Sequence, residues 1–485
     1  MKKTISFFLN GKLKEIKVNG ETTVLELLRS HFELNGIKEG CGEGDCGACT
    51  VVIGEVREGS VHYKSVAGCL YLAAKLEGKH LITIEGLAKN GELHPIQQAV
   101  LEAHATQCGF CTPGVILSIL ALYLERPNPS KEEFRRYLEG NLCRCTGYAA
   151  IRKVPDYLKD LKIQTENVRL SYLTETEERQ LDFAHEDLFI DDGENAYYAP
   201  VSEENLEGFL KEHKELVSGQ SLRFLNGGSD VMVGIKKRNQ HYRLLLDLSR
   251  ISSLQDISYK EETLTIGGGV SLSRIADSVK DIVPQLSDAV LRMGSEQVRS
   301  SATAAGNLVN ASPVADTVPI MMAMNAVITL RGCEGIRTVP VREFFHGYKQ
   351  TENHTDEWVS SISIPLGEYN FIHFDKVSKR KEVDISAVNS AIALKIVDNR
   401  IKKASIACGG VGATTLYMPV TSEYLEGKPM AEETFLDAFK VIETEATPIG
   451  DVRGSEEYRR AVMENLLMKH YLAFENSQEG KEHEA

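Results

Sequence analysis

Apolar and polar positions change their rhythm several times along the chain. Residues 4–9 and 14–18 alternate around Asn10-Gly11. This predicts a hairpin, because a type I′ turn needs positive φ at both central residues. Thr23-Val24-Leu25-Glu26 has the spacing of a capping box and opens a predicted helix toward Phe32. A loop of Cys and Gly comes next, then strand-like runs at 50–53, 61–66 and 81–84. Residues 1–86 therefore predict a small sheet with one helix. The period then lengthens, and 94–105, 113–126, 131–139 and 149–161 read as helices. Pro113 suits a first helical turn, Ser130-Lys131-Glu132-Glu133 is a second capping box, and Gly140 is a candidate helix stop. Residues 87–160 thus predict a helical bundle.

Residues 161–194, rich in Glu, Asp and Thr with little periodicity, predict a linker. A mixed α/β pattern returns from Tyr197, with glycine groups at predicted strand ends, Gly227-Gly228 and Gly267-Gly268-Gly269. The domain over 195–368 is followed by one over 369–475, which opens on a strand near Phe371 and ends rich in helix. The charged residues 476–485 predict a disordered tail. There are no internal repeats.

Composition narrows the function classes. Lys+Arg is 55 against 69 Asp+Glu, a net charge of −14, which argues against a nucleic-acid partner. The longest apolar stretches, 114–124 and 318–330, fall short of the ~20 residues a membrane span needs. Met1-Lys2-Lys3 and the apolar residues 5–9 resemble the start of a signal peptide, but Asn10-Gly11-Lys12 ends the run and no small-residue cleavage site follows. The expectation is a cytoplasmic protein without a membrane partner. In a reducing compartment its ten cysteines suit metal ligation rather than disulfides.

Eight of the ten lie in the first third. Cys41-x4-Cys46-x2-Cys49, with Cys69 further on, follows the plant-type 2Fe-2S ferredoxin spacing. Four thiolates must converge on two irons. Gly40, Gly42, Gly44 and Gly47 let the backbone fold tightly and aim N–H groups at sulfur. Glu43 and Asp45 read as solvated loop residues. Cys108-x2-Cys111 and Cys143-Arg144-Cys145 form a second set, each pair at a predicted helix terminus, where backbone groups are free to face a metal site. A structural zinc site is the alternative for both sets. It fits the first poorly, since zinc sites favour two Cys-x2-Cys pairs; for the second it stays open, although a Cys-x-Cys half is unusual for zinc.

Further along, Arg223-Phe224-Leu225-Asn226-Gly227-Gly228-Ser229-Asp230 reads as a strand entering a glycine turn. Such a turn allows close backbone approach to a pyrophosphate. It lacks the G-x-G-x-x-G pattern of a Rossmann fold, and an ordinary turn is the alternative. Residues 303–316, small and polar in mid-domain, predict a loop lying against a ligand or else a plain surface loop. Cys333, Cys408 and the 13 scattered His show no ligand spacing. Lys379-Arg380-Lys381 is a solvated run or a phosphate neighbour.

The string from Gly40 through Cys41-Gly42-Glu43-Gly44-Asp45-Cys46-Gly47-Ala48-Cys49 to Thr50 resembles the ferredoxin-like cluster loop of xanthine dehydrogenases and related molybdenum hydroxylases. Gln107-Cys108-Gly109-Phe110-Cys111-Thr112-Pro113-Gly114 and Asn141-Leu142-Cys143-Arg144-Cys145-Thr146-Gly147-Tyr148 resemble that family's second-cluster motifs. The resemblance covers roughly 1–160 and 195–475, with 331–345 and 376–386 also matching, and is nearest to a small, iron–sulfur/FAD subunit of xanthine dehydrogenase.

It implies an α+β multidomain architecture: a β-grasp ferredoxin-like domain, a four-helix iron–sulfur bundle, an α/β FAD-binding domain of vanillyl-alcohol-oxidase type and an α+β C-terminal domain of CO-dehydrogenase-flavoprotein type. It implies FAD contacts at residues 223–230 and at Met293, Thr303, Gly306, Asn307, Ser312, Asp316, Val359 and Lys376. Met293 departs from the aromatic residue of some relatives. The bundle cluster would lie nearer a molybdopterin, which Gln107 would approach. No residue of this chain is expected to oxidise substrate. That site would lie in a molybdopterin-binding large subunit, in a dimer of heterodimers, with NAD+ as acceptor. Aldehyde, nicotinate and aromatic-thioester enzymes share these features. The readings outside the family are a stand-alone NADH-linked electron carrier, disfavoured by Gln107 and the second cluster, and a zinc-stabilised interaction module.

Overall fold

The computed structural model describes residues 4–160, 168–215 and 222–482. Met1, Lys2 and Lys3 of the signal-like start, residues 161–167 of the expected linker and residues 483–485 of the expected tail lie outside them. The chain divides into two compact units. The first comprises Met1–Phe209, His213–Ile251 and Gly294–Ala302; the second comprises Leu210–Glu212, Ser252–Met293 and Thr303–Ala485.

The first unit opens with the expected hairpin. Strands β1 (Ile5–Leu9) and β2 (Lys12–Ile16) pair antiparallel, and Asn10 and Gly11 both hold positive φ, 49° and 80°. With β3 (Thr50–Arg57), β4 (Ser60–Ala67) and β5 (His80–Ile82) they form a sheet of order β2-β1-β5-β3-β4. The Thr23/Glu26 capping box forms and starts a short helix, Val24–Glu26, that widens into a π turn over Leu27–His31. Val24, Leu25, Leu27 and Leu28 are buried beneath the sheet's Phe7 and Val51.

Four helices follow, Pro95–Glu102, Thr112–Glu125, Lys131–Tyr137 and Ala149–Asp160. Pro113 sits in the first turn of the second, and Ser130 caps the third as a full capping box. The helix Thr112–Glu125 is buried from Gly114 to Tyr123 and shares a core with Val52 and Tyr63 of the sheet. Each fully buried Ile or Leu there contributes about 1.5–3 kcal/mol. Gly140 is not the helix stop expected of it: the third helix ends at Tyr137 on a right-handed Leu138.

The expected linker carries structure. A helix, Leu173–Leu181, buries Leu173, Thr176 and Gln180, and Gln180 donates to the Gly54 carbonyl at 2.8 Å. It leads into β6 (Leu188–Asp191), which joins β7 (Ala196–Ala199), β8 (Leu222–Leu225) and β9 (Leu244–Asp247) in the order β6-β7-β9-β8, with β7 and β8 parallel to β9.

In the second unit, β10 (Ile257–Lys260), β11 (Thr263–Gly267), β12 (Val327–Gly332), β13 (Gly335–Pro340) and β16 (Trp358–Pro365) form an antiparallel sheet of order β10-β11-β16-β12-β13. A small hairpin, β14 (Phe345–Gly347) and β15 (Gln350–Thr351), precedes β16. The chain then builds β17 (Phe371–Val377), β18 (Val388–Val397), β19 (Arg400–Gly409) and β20 (Leu416–Tyr417). Met463, Leu466 and Leu467 of the last helix, Glu456–Glu482, share a core with Ile392 and Ile406 of that sheet. The helix runs into the segment expected to be a disordered tail. No helix among the described residues is long and apolar enough to cross a membrane.

Candidate metal centre and flavin site

The first cysteine loop folds around its sulfurs. The amides of Glu43 and Asp45 donate to Cys41 Sγ at 3.4 and 3.3 Å, while their own side chains are exposed. A Cβ on Gly40 would lie 2.8 Å from Cys46 Sγ. The thiols meet in pairs. Cys46 lies against Cys41, and this contact, joined by the amides and opposed by burial, holds the Cys41 thiol down to about 4. The same sharing, with burial, pushes Cys46 up. Cys49 and Cys69, both buried, form the second pair. Cys69 is driven up by Cys49 and by burial, while the Gly44 amide opposes them.

The second set pairs likewise. Cys111 caps the helix Thr112–Glu125 and faces Cys143; burial, then that contact, pushes it up to about 12. Burial works against the Cys143 thiolate but is outweighed. The Thr146 hydroxyl donates to it at 3.1 Å, and the Thr146 and Cys145 amides face it, so its pKa is lowered. The Cys143 amide in turn donates to the Tyr148 hydroxyl at 3.0 Å. Cys108 and Cys145 form the outer, exposed pair. The Phe110 amide, then Cys145, lowers Cys108. Gln107 is exposed beside it.

Among the described residues no three or more His, Cys, Asp or Glu side chains converge as a site for a single ion. Two thiol pairs with amide donors aimed at sulfur are the donor set that two irons bridged by sulfide take. The residues of both loops fit such a group.

The glycine turn belongs to the same unit. From β8 the chain passes through Asn226-Gly227-Gly228 into the helix Ser229–Arg238. A Cβ on Gly227 would lie 2.1 Å from the Ser301 carbonyl oxygen, and Gly228 holds φ at 75° and brings no side chain to cap the helix. Asn226 Nδ2 and Ser301 Oγ are buried without hydrogen-bond partners among the described residues. Gly227, Ser229 and Ser301 line a recess with Leu70, Tyr71, Gln297 and Val298. Its water-accessible space is about 10 Å³, room for about one water molecule. The free N-terminal amides of the helix Ser229–Arg238 are donors of the kind that take an anionic phosphate.

Of the residues expected at FAD in the second unit, several are occupied with one another. The span 303–316 is not the expected loop. Thr303 caps a helix, Ala304–Asn310, by accepting from the Gly306 amide at 3.0 Å. Asn307 accepts from the Thr317 hydroxyl at 2.7 Å, and Ser312 from the Val314 amide at 3.4 Å. Lys376 is buried and donates to Asp316 at 2.7 Å, Arg292 O at 2.9 Å and Asp384 O at 3.1 Å. Asp316 also accepts from Ser386 and Asn389. Asp316 and Lys376 thus form a satisfied buried ion pair. Val359 is a buried residue of β16 whose carbonyl presses against Gly268. Met293 is half-buried, donating its amide to Val290 O at 3.0 Å.

Other sequence candidates are accounted for locally. Cys408 is buried and bonds Ser390. His470, also on Ser390, lies 2.7 Å from His373, Nδ1 to Nδ1, and burial pushes both imidazoles down. Lys379 and Arg380 donate to the Val452 and Val383 carbonyls. Sequence reasoning missed Leu70, Tyr71, Gln297 and Ser301, whose only signals were adjacency to Cys69 and a mainly polar run, Ser295 to Ser301, after Gly294.

Four family profiles match successive stretches of the chain. Residues 7–74 match a 2Fe-2S iron-sulfur cluster binding domain, and 83–154 a [2Fe-2S] binding domain. Residues 192–367 match the FAD binding domain in molybdopterin dehydrogenase, and 373–474 the CO dehydrogenase flavoprotein C-terminal domain. The chain is the 2Fe-2S/FAD part of a molybdenum hydroxylase. Aldehyde oxidase 3 of Rattus norvegicus is 30% identical to this molybdenum hydroxylase chain, over 96% of the chain and 39% of the relative. Xanthine dehydrogenase of Emericella nidulans is 28% identical, over 90% and 36%; xanthine dehydrogenase 1 of Arabidopsis thaliana is 29% identical, over 93% and 38%. The chain thus spans under two fifths of the length of these relatives. Among solved structures, a carbon monoxide dehydrogenase from Hydrogenophaga pseudoflava superposes with a TM-score of 0.53 at 24% identity, covering 56% of this chain and 94% of that one. Quinoline 2-oxidoreductase from Pseudomonas putida 86 gives 0.53 at 24%, covering 57% and 95%. Both show a shared fold.

Proposed function

We propose that this chain carries electrons from a molybdopterin-bearing partner through two 2Fe-2S clusters to FAD and then to NAD+, as in a xanthine dehydrogenase that turns hypoxanthine and xanthine into urate. The observation that carries the reading is the gathering of eight thiols into two sets, with N–H and O–H donors aimed at sulfur, in one unit with the glycine turn. Cys108, Cys111, Cys143 and Cys145 hold one cluster beside the exposed Gln107, Phe110 and Leu142, the surface a large subunit would cover. Cys41, Cys46, Cys49 and Cys69 hold the other, and Leu70, next to Cys69, lines the recess that the glycine turn shares. Residues 223–230 hold the FAD diphosphate through free amides. Met293, Thr303, Gly306, Asn307, Ser312 and Val359 are further proposed contacts, and Asp316 and Lys376 position them. When bound, the clusters carry single electrons and FAD pairs them into a hydride.

The partner in a separate chain is supported by the carbon monoxide dehydrogenase chain matched over 94% of its length, which leaves little of that chain for a molybdenum domain. A second reading keeps the wiring and changes the substrate to an aldehyde; the 30% identity to an aldehyde oxidase favours it as much as the 28–29% to xanthine dehydrogenases favours a purine. Iron, zinc and flavin analysis of the purified chain tests the wiring. Four irons and one FAD per chain are expected, and zinc in place of iron overturns it. Xanthine oxidation by this chain alone would overturn the division of labour. Turnover of xanthine against an aldehyde by the complete complex decides the substrate.

A further inference from the structure

The two cysteine loops touch backbone to backbone. The Leu142 amide, one residue before Cys143, donates to the carbonyl of Cys46 at 3.0 Å. The neighbouring Gly47 carbonyl accepts from Asn141 Nδ2 at 3.2 Å. There is no room for side chains at this junction. A Cβ on Gly47 would lie 2.5 Å from Gly140 O, and one on Gly114, in the helix that Cys111 caps, 2.1 Å from Gly47 O.

Behind the junction stands a relay of buried amides and a hydroxyl. Gln297 Nε2 donates to Asn141 Oδ1 at 3.0 Å and to Ser118 Oγ at 2.9 Å, and Ser118 donates to Gly114 O at 2.9 Å. Asn141, Ser118 and Gln297 are 3%, 0% and 1% exposed. Gln297 Oε1 itself has no hydrogen-bond partner among the described residues, and losing the Asn141 or Ser118 bond would strand a further buried donor or acceptor at about 1–3 kcal/mol.

We propose that Asn141 is the positioning residue that sets the electronic coupling between the two ligand sets, and that the Leu142 N–H···O=C Cys46 hydrogen bond is the bridge electrons cross. The inference rests on the two-cluster reading above. Electron transfer falls off steeply with distance, and faster across a gap than along bonds. The bridge runs down the Cys46 side chain to its own carbonyl, crosses one hydrogen bond and continues along a single peptide to Cys143. A single electron crossing it leaves the iron of one set oxidised and of the other reduced; no bond is made or broken and no proton moves.

The test uses the full chain with its iron, reduced by dithionite and read by electron paramagnetic resonance, alongside hydrogen exchange at Leu142. The native chain should show two spin systems split by their mutual interaction, and a protected Leu142 amide. Asn141→Ala should keep its iron, lose the splitting and expose that amide. Ser118→Ala, which touches neither loop's ligands, should weaken the splitting in the same direction, so the proposal stays testable if the first variant fails to assemble. A native chain without iron refutes the reading beneath. Two intact clusters whose splitting is unchanged in both variants refute the role of Asn141.

Discussion

Lys75 is a cation with almost no access to water. Its side chain is 4% exposed, its Nζ lies 3.2 Å from Asp247 Oδ1, and it also donates to the Asn226 carbonyl at the start of the glycine turn. Asp247 is fully buried and otherwise accepts from Tyr197 Oη at 2.5 Å and the Ser249 amide at 2.9 Å. Lys75→Met therefore leaves a buried carboxylate without its counter-charge and a turn carbonyl without its donor. Breaking one side of a buried ion pair costs about 3–5 kcal/mol, against total stabilities of about 5–15 kcal/mol. For a unit of this size that lowers the melting temperature by about 6–20 °C. Calorimetry on the iron-loaded chain measures it, and flavin content at 20 °C should fall while iron is retained, because the turn is freed and the cysteine loops are not. Adding Asp247→Asn keeps an acceptor for Tyr197 and Ser249 but removes the stranded charge, and should recover most of the loss. A shift under about 2 °C for the single variant, or no recovery in the double, refutes the assignment of the cost to an unpaired buried charge.

The remaining predictions concern the same unit. His80 is fully buried, accepts from the Gly11 amide at 3.2 Å and is pushed down to about 3 by burial. It stays neutral in the fold while the unfolded chain takes up a proton below about 6.5, so its cost is absent above pH 6.5 and grows as pH falls toward 3. The stability difference between the native chain and His80→Phe should therefore change by about 2 kcal/mol between pH 6.5 and 5, read by denaturant unfolding at each pH; a pH-independent difference contradicts the neutral imidazole. Gly114→Ala places its methyl against Gly47 O and should cost iron in both sets. Two full clusters in that variant would show that the loops can part.

The cysteine spacing, the Asn10-Gly11 turn and both capping boxes were legible because each is local: residues a few positions apart satisfy one another. The helix Leu173–Leu181 was not, because its buried face includes Thr176 and Gln180, and a polar residue paired to a distant carbonyl leaves no hydrophobic period. The helix after Thr303 hid for a related reason. Ala304-Ala305-Gly306-Asn307 has little helix propensity beyond its alanines, and the Thr303 cap starts it. At the glycine turn the strand and the turn could be read, but Lys75 and Gln297 could not. A lysine in sequence looks solvated, and only the folded chain brings it beneath a residue 151 positions away. The family resemblance implies FAD contacts at Asp316 and Lys376, and the structure joins the two to each other.

The first unit is discontinuous: Gly294–Ala302 returns to it after the chain has passed through the second, bringing Gln297, Ser300 and Ser301 against residues laid down far earlier. On the ribosome, a nascent chain released from the exit tunnel only as far as residue 251 would hold all eight cysteines yet lack the segment that closes over them. That segment emerges after Ser252–Met293 of the second unit and before Thr303–Ala485, the larger part of it, so the order of synthesis completes the first unit while most of the second is still to come.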